Sequence, residues 1–360
     1  MIKYKVLNLT YKHMLRPILF SIDSEKIHDI FTQMGEGSEN FDWLLESIFS
    51  FNDRGLNKNV LGVNFNNPIG LAAGFDYDGH LASVMKHIGF GFNTVGTVTA
   101  KAYGGNNKPR LGRLIKSRSL LVNKGFKSEG ALKVAQRLDK KRLNGHTTGI
   151  SVGSSNLPTI NTINRAISDY IFTFNTFKDR EYVSYFELNI SCPNTAMTES
   201  FTTPKNLFNL IKAVTELNLK KPLFVKMPSE ITPEQSDTLI EIGLKKAVRG
   251  YIFSNLVKDR GNKFFVPSEI EKVNNLKGNF SGKPTSENSN KLIAHSRKTF
   301  GKNIAIIGCG GVFDANDAIE KLKCGADLVQ LITGMIFEGP QIAGDINSHL
   351  IKKYVHVKYS

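Results

Sequence analysis

Leu188-Asn189-Ile190-Ser191-Cys192-Pro193-Asn194-Thr195 reads as the end of a buried strand that runs into a cluster of small polar groups. Tyr185, Phe186, Leu188 and Ile190 supply the apolar run. Pro193 has no N–H to give to a ladder, so the strand should stop just after Cys192. One thiol then stands at a strand's carboxyl end, flanked by the amides of Asn189 and Asn194. Such a set can hold a planar, amide-rich ring against a proton-transferring group. The plainer alternative for Cys192 is a small buried hydrophobe.

Similar short apolar runs recur on both sides of this stretch. They cover Gly70–Phe75, Phe92–Val98, Gly149–Gly153, Phe186–Ser191, Leu223–Met227, Tyr251–Asn255, Ile304–Gly308 and Leu328–Thr333. Amphipathic stretches such as Pro204–Leu217, Pro233–Leu244, Asn288–Phe300 and Ala315–Lys323 lie between them. Strand-helix units in this number and order predict an α/β fold, a parallel (β/α)8 TIM barrel over residues 56–360. A doubly wound sheet is the alternative, but the first strand ends in Ala72-Ala73-Gly74 rather than in a Gly-x-Gly-x-x-Gly turn. Two long gaps, Lys101–Lys127 and Val257–Lys283, are expected to be loops that wall a site.

Residues 1–55 have a different texture and predict a small N-terminal helical cap. Met14, Leu15, Ile18 and Leu19 recur at helical spacing, and Asp23 is placed to cap a helix carrying Ile27, Ile30, Phe31 and Met34. Phe41, Leu44, Leu45 and Ile48 form a third face beside Trp43, with Gly35–Asn40 expected as a turn and Asn52–Lys58 as a polar linker. Such helices either pack on the barrel or lie in a membrane interface and admit an apolar co-substrate. The net charge of +15 is scattered, with no basic run interleaved with aromatics, so a solvated basic surface or attraction to an anionic membrane fits as well as nucleic-acid binding. Three cysteines with no Cys-x-x-Cys pair predict neither a disulfide framework nor a structural metal.

Chemistry in such barrels sits at the carboxyl ends of the strands. Those ends carry Gly74, Asp76, Tyr77, Thr97, Thr99, Ser151, Gly153, Asn189, Cys192, Asn194, Lys226, Ser254, Asn255, Gly308, Gly310, Gly311, Thr333 and Gly334. Amides, hydroxyls, glycines and one lysine suit a large neutral ring cofactor better than a metal. Gly308-Cys309-Gly310-Gly311 and Thr333-Gly334 end the last two strands, the usual barrel phosphate site, where glycine lets backbone N–H groups close on an anion. An inward lysine at 226 needs an anion or a polarised ring; a flavin edge that gains charge on reduction would serve, as would a salt bridge.

In order along the chain, the motifs resemble those of the dihydroorotate dehydrogenase family. They are Asn67–Asp76, Gly89–Thr99, Lys108–Leu111, Asn123-Lys124-Gly125-Phe126, Asn189–Thr195, Ser281–Pro284, Ile306–Val312 and Gly334–Pro340. The N-terminal helices, with Asp23 and His28, resemble the quinone-tunnel cap of the membrane-associated class 2 branch. That resemblance implies FMN at the barrel mouth, oxidation of dihydroorotate to orotate, a quinone as electron acceptor, and a peripheral place on the cytoplasmic face of a membrane. It assigns FMN contacts to Ala73, Gly74, Tyr77, Thr97, Ser151, Asn189, Lys226, Ser254, Gly282, Gly310, Gly311, Thr333 and Gly334. The pyrimidine falls to Asn123, Gly125, Phe126, Asn189, Asn194 and Asn255, and the general base to Cys192.

Several positions depart from the family's pattern. Class 2 members carry serine as the base, whereas cysteine marks class 1. Tyr77 stands where the family has a lysine touching flavin and substrate, Ser151 replaces an asparagine, and Leu256 replaces a threonine. The segment Thr195–Glu199 lacks the family's Pro-Gly-Leu-Arg run. These departures leave room for an FMN-dependent paralogue acting on another cyclic amide or enamide, or for a non-catalytic flavoprotein.

Overall fold

The computed structural model describes residues 2–190 and 200–358. The strands are β1 (Lys58–Val60), β2 (Val63–Phe65), β3 (Ile69–Leu71), β4 (Phe92–Val98), β5 (Leu111–Leu114), β6 (Ser119–Val122), β7 (Thr147–Val152), β8 (Val183–Asn189), β9 (Leu223–Lys226), β10 (Gly250–Phe253), β11 (Asn279–Gly282), β12 (Ala305–Cys309) and β13 (Leu328–Leu331). Among the described residues β3, β4, β7, β8, β9, β10, β12 and β13 close a parallel barrel in that order, which is the architecture expected from the sequence. Parallel barrel strands are covered on both faces, so they read as unbroken apolar runs; β4 and β7 are buried from end to end.

The helices are α1 (Ile2–Thr10), α2 (Arg16–Ser21), α3 (Ser24–Gly37), α4 (Asp42–Phe49), α5 (Ala131–Leu138), α6 (Ile163–Phe177), α7 (Pro204–Thr215), α8 (Pro233–Leu244), α9 (Pro267–Val273), α10 (Ser286–Phe300), α11 (Ala315–Lys323), α12 (Thr333–Glu338) and α13 (Ile342–Lys358). Helix α8 starts on proline behind a reciprocal Thr232–Gln235 capping box. The side of α7 that carries Leu207, Leu210, Ile211 and Val214 is buried against the barrel wall.

The barrel interior is layered. Phe92, Tyr185, Phe224 and Leu328 fill the lower level, and the β1–β2 hairpin plugs the base with Phe65, whose ring meets Phe92 at 5.0 Å. One level higher the filling turns polar. Glu187 accepts from Thr94 Oγ1 and from Gln330 Nε2, both at 2.7 Å. Above these stand Asn189, Lys226 and Cys309, at the mouth.

Several elements differ from the sequence expectation. The two long insertions are not plain loops: β5 and β6 from the first pair with β11 from the second in a three-stranded antiparallel sheet. Helix α1 had no counterpart in the sequence reading. Helix α3 runs through Gly35 to Gly37, where a turn was expected; Gly35 serves close packing rather than a turn. A Cβ there would lie 2.2 Å from Leu81 Cδ2. Strand β13 stops at Leu331, and Thr333 opens α12 instead of ending the strand.

Asp23 is the N-cap of α3: its Oδ1 accepts from the backbone N–H of Glu25 and of Lys26, both at 3.0 Å. Those bonds, the Lys26 one first, hold its carboxyl below the usual value. Asp23→Ala should therefore cost about 1 kcal/mol, read as a lower urea midpoint. Because the Asp23 carboxyl is depressed in the fold, the difference should be full at neutral pH and shrink as acid protonates it. Equal midpoints at pH 7 would show that the cap does not limit stability.

Candidate active site at the barrel mouth

One cleft at the carboxyl ends of the strands gathers most of the residues singled out from the sequence. Ala73, Asn189, Lys226, Ser254, Asn255, Gly282, Gly310, Gly311, Thr333 and Gly334 all line it, together with Ala72, Leu256, Ser281, Thr285 and Cys309. Strand register explains part of this convergence: Asn189 of β8 pairs with Lys226 of β9, and Lys226 with Ile252 of β10.

A chain of neutral polar groups runs along the mouth. Thr97 Oγ1 and Ser151 Oγ lie 3.0 Å apart, and Asn189 Nδ2 donates to Thr97 Oγ1 at 3.0 Å. Asn255 Nδ2 donates to Asn189 Oδ1 at 3.2 Å. Thr97 and Ser151, which are not in the cleft wall itself, thus join it through Asn189. Gly74 lies alongside, its N–H donating to Gly96 O at 2.8 Å.

Lys226 is the cation of the cleft wall, only 6% exposed, with its Nζ 3.5 Å from Cys309 Sγ. An ammonium held this deep is costly unless the site gives it electrostatic work. At the opposite end the wall is backbone. Gly310 sits at φ 109°, and a Cβ there would come within 2.3 Å of Thr285 Oγ1; at Gly311, φ 72°, it would meet Ser286 Cβ at 2.3 Å. Both positions need glycine, and what they leave is a small cradle of main chain and hydroxyls. Ser281 Oγ and Thr333 Oγ1 meet at 2.9 Å on its rim. An amide-rich wall, one buried cation and a glycine cradle fit a flavin with a terminal phosphate.

The segment expected to hold the pyrimidine lies next to this cleft. Asn123 Oδ1 accepts from Asn106 Nδ2 at 2.9 Å, and Asn106 Oδ1 in turn accepts from Tyr103 OH and Asn156 Nδ2. Gly125 has φ 65° and Phe126 φ 62°. Phe126 reaches the mouth, since a Cβ on Gly153 would lie 2.9 Å from its ring and 2.6 Å from Thr97 Cγ2. Asp76, pushed up to about 6 by burial, caps the turn through the N–H groups of His80 and Leu81 and is not aimed into the cleft. Tyr77 is not part of the cleft wall either; its ring packs on His28 of α3 at 5.1 Å, and burial raises its hydroxyl. Cys192 and Asn194, the expected base and one expected ring contact, lie outside the described residues.

Two groups escaped sequence reasoning. Cys309 was seen only as part of a glycine run, yet it faces Lys226. Glu25, which the sequence reading did not single out, is buried against Lys124 and Arg110.

The sequence profile of the family described as dihydroorotate dehydrogenase matches residues 55–354. A protein of Christiangramia forsetii named dihydroorotate dehydrogenase (quinone) is 36% identical over 355 residues, covering 95% of this chain and 99% of its own. One of the same name from Agrobacterium fabrum is 34% identical over 91% of this chain and 88% of its own. Among solved structures, the Eimeria tenella enzyme in complex with ferulenol superposes with a TM-score of 0.82 at 26% identity, covering 94% of this chain and 95% of that one. With this cleft at the mouth of this barrel, and relatives matched along nearly their whole length, the chain belongs to the dihydroorotate dehydrogenase family.

Proposed function

We propose that the protein oxidises dihydroorotate to orotate on bound FMN and passes the electrons to a quinone that enters through the N-terminal cap. The observation that carries this reading is Lys226, a deeply buried ammonium in an otherwise neutral, amide-lined cleft that ends in a glycine cradle. When bound there, the flavin supplies a hydride acceptor that becomes electron-rich on one edge. The chain's own residues do the rest. Lys226 would stand by that edge, Asn189 and Thr97 would fix the ring system, and Gly310, Gly311, Gly334 and Thr333 would close on the phosphate. Asn123, Phe126, Asn194 and Asn255 orient the pyrimidine, and Cys192 takes the proton from its C5. The test is anaerobic: dihydroorotate added to the purified yellow protein should bleach its visible absorbance within a single turnover. Leu256 in the cleft wall and the tyrosine at position 77, which packs on His28 and not in the cleft wall, favour a related ring as the second reading, which bleaching by another dihydropyrimidine but not by dihydroorotate would select.

The cap is the membrane-facing part in this proposal. Ile2 is 83% exposed and Trp43 71%, and Val6, Met14, Leu15, Ile18, Met34 and Phe41 are exposed with them. Lys3, Lys5, Lys12 and Arg16 are interspersed. No helix among the described residues is long and apolar enough to cross a bilayer. Apolar side chains ringed by lysine and arginine suit a peripheral seat on an anionic leaflet, as on a cytoplasmic face. The protein should therefore float with anionic vesicles and much less with neutral ones, and the difference should fall as salt rises. Ile18→Glu should weaken flotation several-fold. Absence from the anionic vesicle fraction at low salt would remove the membrane from the account.

A further inference from the structure

Glu25 is 7% exposed although it lies in the first turn of a cap helix. Its carboxylate meets cations that are all on the barrel side: Lys124 in direct contact, Arg110 Nε at 3.0 Å and Lys108 Nζ at 4.0 Å. Burial pushes this carboxyl up, but Lys124 and Arg110 more than offset it, so it stays ionised below the usual carboxylate range. Lys108 and Arg110 precede β5, and Lys124 follows β6 directly after Asn123. The same helix grips the other lip of the mouth, where His28 Nε2 donates to Phe75 O at 2.7 Å. Lys124 Nζ bridges the two lips, 5.3 Å from the centre of the Tyr77 ring, which itself packs on His28. Between these anchors Phe126 is held at φ 62°, a backbone region that a bulky side chain keeps only where its surroundings impose it.

We infer that Glu25 of the cap is a positioning residue for the pyrimidine: by anchoring Lys124 across the seam it sets Asn123 and Phe126 against the ring. The inference rests on the reading of Asn123–Phe126 as ring contacts. It makes seating of the cap and binding of the ring one linked event, so each strengthens the other by the same factor.

The experiment titrates the full-length, flavin-loaded protein with orotate and follows the shift in flavin absorbance. Glu25→Gln keeps the size and removes the charge; it should raise the orotate Kd about tenfold with flavin content unchanged. Lys124→Met should do the same, and the double variant should lose no more than the larger single loss, because the two side chains act as one unit. Glu25→Asp, one methylene short, should recover part of the affinity. An unchanged orotate Kd in Glu25→Gln, with only a lower Tm or a raised quinone KM, overturns the inference, as do fully additive losses in the double variant. If Glu25→Gln does not fold, wild-type orotate affinity in both Glu25→Asp and Lys124→Met overturns it equally. Should the wild-type protein respond to another ring but not to orotate, the substrate reading fails by itself. The same variants titrated with that ring then decide the role of Glu25, a loss supporting it and an unchanged Kd sinking it.

Discussion

Cys192→Ala should slow reduction of the bound flavin by dihydroorotate by roughly 10²–10⁴-fold, the usual worth of a positioned general base. Flavin content and orotate affinity should stay close to wild type, since alanine keeps the backbone and removes only the proton acceptor. The thiol is a good candidate for the role because its reference pKa, near ~8.5, is far below that of a hydroxyl. Cys192→Ser should accordingly retain some activity and shift its rate profile towards higher pH. Stopped-flow reduction under anaerobic conditions isolates this half-reaction from quinone turnover. Wild-type kinetics in Cys192→Ala would assign the proton to another group.

The barrel was legible because its strands are buried on both faces. The runs ending at Val98, Asn189 and Lys226 are buried almost throughout, with polar residues such as Asn93, Thr94 and Glu187 paired inside the barrel, and at the mouth Asn189 and Lys226 line the candidate cleft. The antiparallel sheet was not legible for the opposite reason. Leu111–Leu114 and Ser119–Val122 are only four residues each, the first half-buried and the second mostly buried, and β6 pairs with a strand that begins at Asn279. No local pattern announces a partner that far along the chain. Helix α1 was missed because its apolar residues divide between two surroundings. Tyr4 is buried and donates to Ser50 O at 2.7 Å, while Ile2 and Val6 face solvent. The cap–barrel seam is likewise non-local: Glu338 binds Lys12 and, at 2.8 Å, Arg118, while Glu25 binds Lys124. A lone glutamate on an amphipathic helix reads as solvated until the chain brings lysines to it. This seam also bears on removal of the cap. Deleting residues 1–50 would strand Lys124 and Arg110, which bind Glu25, and Arg113, which donates to Phe20 O and Ile22 O, as well as open the proposed quinone path, so loss of quinone turnover alone is not the expected outcome.

Lys226→Met should lower the midpoint potential of the bound flavin by roughly 40–90 mV. At an effective dielectric of about 20, a unit charge about 4 Å away is worth about 4 kcal/mol. For a two-electron couple about 30 mV corresponds to about 1.4 kcal/mol. Removing the cation takes away part of that preference for the electron-rich form, and flavin reduction should slow by about 10²-fold or more. Lys226→Arg keeps the charge and should hold the potential closer to wild type. The same substitution should affect the fold in the opposite direction. Lys226 is 6% exposed, with Cys309 Sγ at 3.5 Å, so the fold bears the desolvation of an ammonium that methionine would not require. The protein stripped of flavin should thus have a Tm equal to or above wild type while the loaded protein loses its chemistry, the pattern expected where a site is built at the expense of stability. A fall in Tm with an unchanged potential would instead mean that Lys226 braces the barrel mouth and plays no part in the redox chemistry.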